Sequence, residues 1–97
     1  MSKVELKEST LYLSGDIVFA TVVDMRDTLI ELMNAQSRDA KLSVDFSGVG
    51  RVDSSALSLW LCGLRAAKNQ NIQLTPLSVP PDLRSISELV GFEMTAH

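Results

Sequence analysis

Four segments alternate apolar and polar residues with period two: Val4 and Leu6 in VELK, Leu11 and Leu13 in TLYLS, Leu42, Val44 and Phe46 in KLSVDF, and Ile72 and Leu74 in IQLT. Each predicts a strand with one buried face, because successive side chains of a strand point to opposite sides. The alternate positions carry Glu5, Lys7, Ser43, Asp45, Gln73 and Thr75. A sheet covered on both sides would need continuous apolar runs, so the helices are expected to lie on one side only.

Three helices are readable between and after these strands. Val22, Met25, Leu29, Leu32 and Met33 form a stripe at helical spacing that starts near Thr21, where Thr21 and Asp24 are a candidate capping box. The outward face of this helix carries Asp24, Asp27 and Glu31, a candidate acidic partner face. A second helix is expected over residues 54–68. A third begins at Pro81, favourable in a first turn, and passes through Leu83, Ile86, Leu89 and Val90 to a stop at Gly91. The order is β-β-α-β-α-β-α, with a right-handed parallel crossover made by the strand at 41–46, the helix at 54–68 and the strand at 72–77. No repeat, linker or low-complexity segment interrupts it, and the 97 residues form a single α/β domain over 1–97.

The second helix does not fit a sheet with one covered side. Leu57, Trp60, Leu61 and Leu64 make one apolar face, which puts Trp60 in the core, but Ala56, Leu59, Cys62, Gly63, Ala66 and Ala67 cover much of the rest. Two explanations stay open. Either this is the middle helix, touching both neighbours, or part of its surface is for a partner, with Ala56, Leu59 and Gly63 in the contact and the small residues permitting close approach.

Composition removes several function classes. A net charge of −3, a pI near 4.9 and scattered Lys and Arg argue against nucleic acid and against a polybasic membrane anchor. The start MSKVELKEST has no apolar core of a signal peptide, and the tract Leu57–Leu64 is too short to span a bilayer, so a cytoplasmic chain without direct membrane insertion is expected. The single cysteine, Cys62, has no disulfide partner and suits a reducing compartment.

Attention falls on GVGRVDSSAL, residues 48–57, where Asp53, Ser54 and Ser55 stand between a strand end and the apolar helix. A serine nucleophile needs a base within reach, and the only histidine is the final residue, His97. One Cys and one terminal His leave no metal coordination sphere. Gly48 and Gly50 superficially resemble a phosphate loop, yet the G-K-[ST] ending is missing, and so is the third glycine of a dinucleotide fingerprint. No catalysis, cofactor or metal is therefore expected. What remains is a helix start. One serine can cap it, a role assigned to Ser55, while Ser54 faces a partner or receives a phosphate at the positive end of the helix dipole.

The strand and helix order, with VDSSAL opening the middle helix after the third strand, resembles the STAS domain of anti-sigma-factor antagonists and anion transporters. In the antagonists the serine directly after the aspartate is phosphorylated by a kinase-like anti-sigma factor, which the resemblance maps onto Ser54. Ala56 stands where those proteins usually have glycine. The chain is also similar to the MlaB family, the small STAS subunits of the Mla phospholipid ABC transporter of Gram-negative bacteria. That similarity lies in LSGD (Leu13–Asp16), V-x-R-V-D-[ST] (Val49–Ser54) and A-A-K-N-Q (Ala66–Gln70). This narrower resemblance implies a STAS-like mixed sheet and a non-enzymatic adaptor. The adaptor would bind the MlaF-like cytoplasmic ATPase subunit through the helix-start region, peripheral to the inner membrane, while nucleotide and lipid belong to that ATPase and its permease. The implied contact residues are Asp53, Ser54, Ser55, Ala56, Leu59 and Gly63, flanked by Asp24, Asp27 and Glu31.

Overall fold

The computed structural model describes residues 1–92 and 94. Its elements are β1 (Lys3–Lys7), β2 (Thr10–Ile17), α1 (Val22–Asn34), β3 (Lys41–Val52), α2 (Ser54–Asn69), β4 (Gln73–Leu77) and α3 (Pro81–Leu89). A two-residue turn, with Glu8 in the left-handed region at φ 56°, closes the β1–β2 hairpin at the Lys7–Thr10 pair. The four strands lie in the order β1-β2-β3-β4, antiparallel in the first pair and parallel in the next two. This is the expected mixed sheet, with α1 and α2 as the crossovers between parallel neighbours.

Burial alternates as the period-two pattern requires. Val4, Leu11, Leu13, Leu42, Val44 and Phe46 are buried, while Glu5, Lys7, Tyr12 and Gln73 are exposed on the other face. Lys7 Nζ lies 5.9 Å from the centre of the Tyr12 ring on that open face. From the helices, Met25, Leu29, Met33, Leu57, Trp60 and Leu83 complete one core. Trp60 meets Phe46 edge to face, with ring centres 6.0 Å apart at 63°.

Most of the excess apolar surface of α2 belongs to the core, but Leu61, expected on the core face with Leu57 and Trp60, is 38% exposed. This helix packs against α1, α3 and β4, so three of its sides need apolar residues. A methyl group at Gly63 would sit 3.5 Å from both Leu29 Cδ2 of α1 and Leu74 Cδ2 of β4. The glycine fills a three-way junction.

Three local expectations are corrected. β3 does not stop near Phe46 but runs to Val52, because its second half continues to pair with β2 through Ser14–Gly48, Gly15–Val49 and Ile17–Val52 with shifts of register. At the first shift the Asp45 Oδ1 accepts the Ser47 N–H at 2.7 Å. The Thr21–Asp24 capping box is not formed. Thr21 occupies the N-cap, but its hydroxyl donates back to the Asp16 carbonyl (2.8 Å) and accepts the Val18 N–H (3.1 Å). In α3, Leu89 and Val90 are exposed at 87% and 66% rather than packed. The helix turns away at Gly91 (φ 77°), where Phe92 N–H bonds the Ser87 carbonyl and Gly91 N–H the Glu88 carbonyl. This paired arrangement satisfies the last carbonyls and ends the helix within one turn of its last buried residue, Ser87.

Candidate docking site at the start of the second helix

β3 and α2 meet at Asp53, whose backbone is extended (φ −130°, ψ −167°) and whose N–H donates to the Ile17 carbonyl at 3.2 Å. Its carboxylate has two partners. Oδ1 accepts the Ser55 N–H at 2.8 Å and caps α2, and Oδ2 accepts the Phe19 N–H at 3.1 Å from the loop between β2 and α1. The cap is therefore Asp53, not Ser55. Aspartate is among the best residues at this position, and only the residue in extended conformation just before the first turn can reach an N–H two residues on. The Ser55 N–H, with Phe19 N–H and the Ser55 hydroxyl adding to it, holds the Asp53 carboxyl below its ordinary value against a smaller opposing effect of burial.

A second aspartate braces the same end of the sheet from the other side. Asp16, at the end of β2, accepts the Arg51 N–H of β3 on Oδ1 at 2.8 Å. A methyl group at Gly50 would lie 2.6 Å from that oxygen, so the Asp16 carboxylate would have to shift. Gly15 adopts φ 81°, where a methyl group would meet Met1 O and Ser2 Cα at 2.8 Å. The LSGD and VGRVD stretches are thus two halves of one hydrogen-bonded joint.

With both Asp53 oxygens already accepting, the serines are left as follows. Ser54 is exposed and Ser55 half-buried. Ala56 (1% exposed), Leu59 (2%) and Gly63, expected in the partner contact, are instead buried in the core. They lie on the sides of α2 that face the sheet and the neighbouring helices. The surface that α2 does present is the stripe Ser54, Ser58, Leu61, Arg65 and Lys68, spaced three or four residues apart along one side. Asp24, Asp27 and Glu31 are exposed on α1 as expected, and Asp27 is paired with Arg26 at 3.1 Å.

One exposed residue was not singled out by sequence reasoning. Phe19, beside the Asp53 carboxylate through its N–H, is 84% exposed, and Val23 one turn on is 52% exposed. In the sequence both merge into the apolar run Ile17–Ala20 and the stripe of α1, and only the phase of the turn separates them from core residues.

Two hollows border α1. One of about 550 Å³ is bordered by the start of β1, the end of β2 and the first turns of α1, with Asp16, Thr21, Asp24 and Thr28 in its wall. The other, about 270 Å³, is a groove between α1 and α2 with Arg26, Ile30, Cys62 and Arg65. Neither contains Ser54. Among the described residues no three His, Cys, Asp or Glu side chains converge as metal ligands, and no helix is long and apolar enough to cross a membrane. His97, the only histidine, lies outside the described residues.

Residues 3–94 match the family described as Mlab, STAS domain. The chain belongs to this STAS family. Among solved structures, the STAS domain is similar to the unphosphorylated form of the anti-sigma factor antagonist SpoIIAA, with a TM-score of 0.67 and 18% identity over 100% of this chain and 90% of that one. It is also similar to a crystal structure of Mglu, with a TM-score of 0.56 and 20% identity over 81% of this chain but only 19% of the other. At these identities the likeness is one of fold. No curated protein sequence matches the STAS domain significantly.

Proposed function

We propose that this STAS domain is a non-enzymatic adaptor that binds the cytoplasmic ATPase of a phospholipid ABC transporter, within a complex with its permease. It would support the assembly and activity of a transporter that maintains outer-membrane lipid asymmetry. The observation that carries the reading is the exposed Ser54 on a helix start held rigid by Asp53 and bordered by an exposed stripe, in a chain whose family is described as Mlab. Binding there places the adaptor at the inner membrane through its partner. The role needs no cofactor.

The test is the affinity of the purified ATPase subunit for wild-type protein, Ser54→Ala and Ser54→Asp, each with its melting temperature. Ser54→Ala folds normally and weakens binding by the worth of one neutral hydrogen bond, about 0.5–1.5 kcal/mol. Ser54→Asp does more damage, because it places a second carboxylate beside Asp53 in a contact that excludes water. A folded Ser54→Asp protein that binds as tightly as wild type removes Ser54 from the interface.

A second reading, an anti-sigma-factor antagonist controlled by phosphorylation of Ser54, is favoured by the same exposed hydroxyl directly after Asp53. Phosphate transfer to Ser54 by a kinase-type anti-sigma factor from the same genome, together with absence of ATPase binding, would select it. Transporter genes next to this one would select the first.

A further inference from the structure

Phe19 is a conspicuous cost on the surface: an aromatic residue that is 84% exposed gains almost nothing from folding. Its backbone is hydrogen-bonded on both sides. Thr21 N–H (2.9 Å) and Val22 N–H (3.0 Å) both donate to the Val18 carbonyl, Val18 N–H donates to Thr21 Oγ1 (3.1 Å), and Phe19 N–H donates to Asp53 Oδ2 (3.1 Å). Phe19 and Ala20 therefore form the apex of a tight turn clamped at both ends and tied to the cap of α2. A partner that buries this ring has little backbone ordering to offset, the property of an interface anchor.

From these observations we propose that Phe19, with the exposed Val23 four residues on, is the apolar anchor of a protein interface whose other side is an apolar pocket rimmed by Lys or Arg side chains. The charge of α1, the helix that follows this turn, selects that occupant. α1 carries Asp24, Asp27 and Glu31 against the single Arg26, so its exposed side is net negative. An anionic lipid surface would be repelled by these carboxylates. A second copy of this chain, docking through the same patch in a two-fold dimer, would set one acidic face against the other. A basic rim around an apolar pocket meets both the ring and the carboxylates. The assignment of this partner as the transporter ATPase rests on the adaptor reading above, and Phe19 extends that contact from Ser54 across the Asp53 clamp.

The experiment measures binding of the ATPase subunit by wild type, Phe19→Ala, Phe19→Trp and Ser54→Asp, with circular dichroism and melting temperature for each, and adds light scattering and sedimentation with phosphatidylglycerol vesicles for wild type and Phe19→Ala. Phe19→Ala is expected to melt like wild type and to bind about 30-fold or more weakly, the loss typical of an anchor residue, with Phe19→Trp retaining much of the affinity. Equal affinity of a folded Phe19→Ala protein overturns the anchor while leaving the adaptor reading intact if Ser54→Asp still disrupts binding. Wild-type protein that does not bind the ATPase removes the adaptor reading and the assigned partner together. Self-association or vesicle binding that disappears on Phe19→Ala overturns the proposal in favour of a second copy or a membrane.

Discussion

Replacing Trp60 by alanine tests whether the apolar excess of α2 is core or interface. The indole is 5% exposed and stands edge to face on Phe46 of β3, at 6.0 Å between ring centres, so it joins the middle helix to the sheet. Truncating such a residue removes its transfer free energy and leaves a cavity, together about 3–5 kcal/mol. A domain of this length has roughly 5–15 kcal/mol of stability in all, so the variant keeps only part of it. At about 4–8 °C per kcal/mol for a domain of this size, the melting temperature should fall by at least about 12 °C. Urea unfolding followed by circular dichroism separates this from a change in the unfolded state: the midpoint should drop while the slope stays constant. Pairing Trp60→Ala with Phe46→Ala in a double-mutant cycle should return a coupling of about 0.5–1.5 kcal/mol from the edge-to-face contact beyond burial. Wild-type stability in Trp60→Ala, with binding of the ATPase lost, would refute the packing argument and put Trp60 on the interface.

Gly50→Ala should lower stability by about 1–3 kcal/mol in urea unfolding, because its methyl group displaces the Asp16 oxygen that accepts the Arg51 N–H. Gly91→Ala meets nothing within 4 Å, so its cost should be the left-handed backbone strain at φ 77° alone, about 1–2 kcal/mol in the same assay. The depressed Asp53 carboxyl contributes stability that is present above its ordinary value of 3.8 and lost as pH falls through the lower folded value. The stability gap between wild type and Asp53→Asn should therefore be constant near neutrality and close only below about pH 3.8, as measured by unfolding across acid pH. Replacing Asp24, Asp27 and Glu31 by Asn or Gln should slow association with a basic partner and flatten its salt dependence, with dissociation nearly unchanged in stopped-flow measurements. Identical association rates at all ionic strengths would make the acidic side of α1 a plain solvated face.

How far the sequence is legible depends on how many neighbours an element has. β1, β2 and the first half of β3 have one buried and one open face, and their alternation of Val4, Leu11, Leu13, Leu42, Val44 and Phe46 with polar residues reads directly. Beyond Phe46 the pattern fails, because Ser47, Gly48, Gly50 and Arg51 are exposed and the strand persists through backbone pairing with β2, which leaves no hydrophobic trace. α2 is illegible in the opposite sense. Three packed sides erase the polar face from which an outward direction is read, so Ala56, Leu59 and Gly63 resemble a contact surface until α1, α3 and β4 are placed around them. Leu89 and Val90 fit the helical stripe but fall past the last buried position of α3, where periodicity carries no information about when the core ends.

The site itself was legible as a position but not as a joint. Asp53 beside two serines marks a helix start in any sequence, yet nothing local says that the aspartate would serve two elements at once. Asp16 at the end of β2 reaches the backbone of β3, and Asp53 at the end of β3 reaches the backbone of the loop after β2. Each strand end thus carries the acceptor that fixes the other. Parallel neighbours end side by side and hand their chains to separate helices, so without such crossed bonds the two loops would be free to move independently. With them, the turn bearing Phe19 and the helix start bearing Ser54 form one rigid edge. Asp53→Ala is then distinguishable from loss of a cap alone: hydrogen exchange should accelerate at Phe19 N–H, 34 residues away in sequence, as well as at Ser55 N–H. Exchange that rose at Ser55 but stayed unchanged at Phe19 would show that the loop is held by its own Val18–Thr21 bonds, and that the edge is two independent pieces.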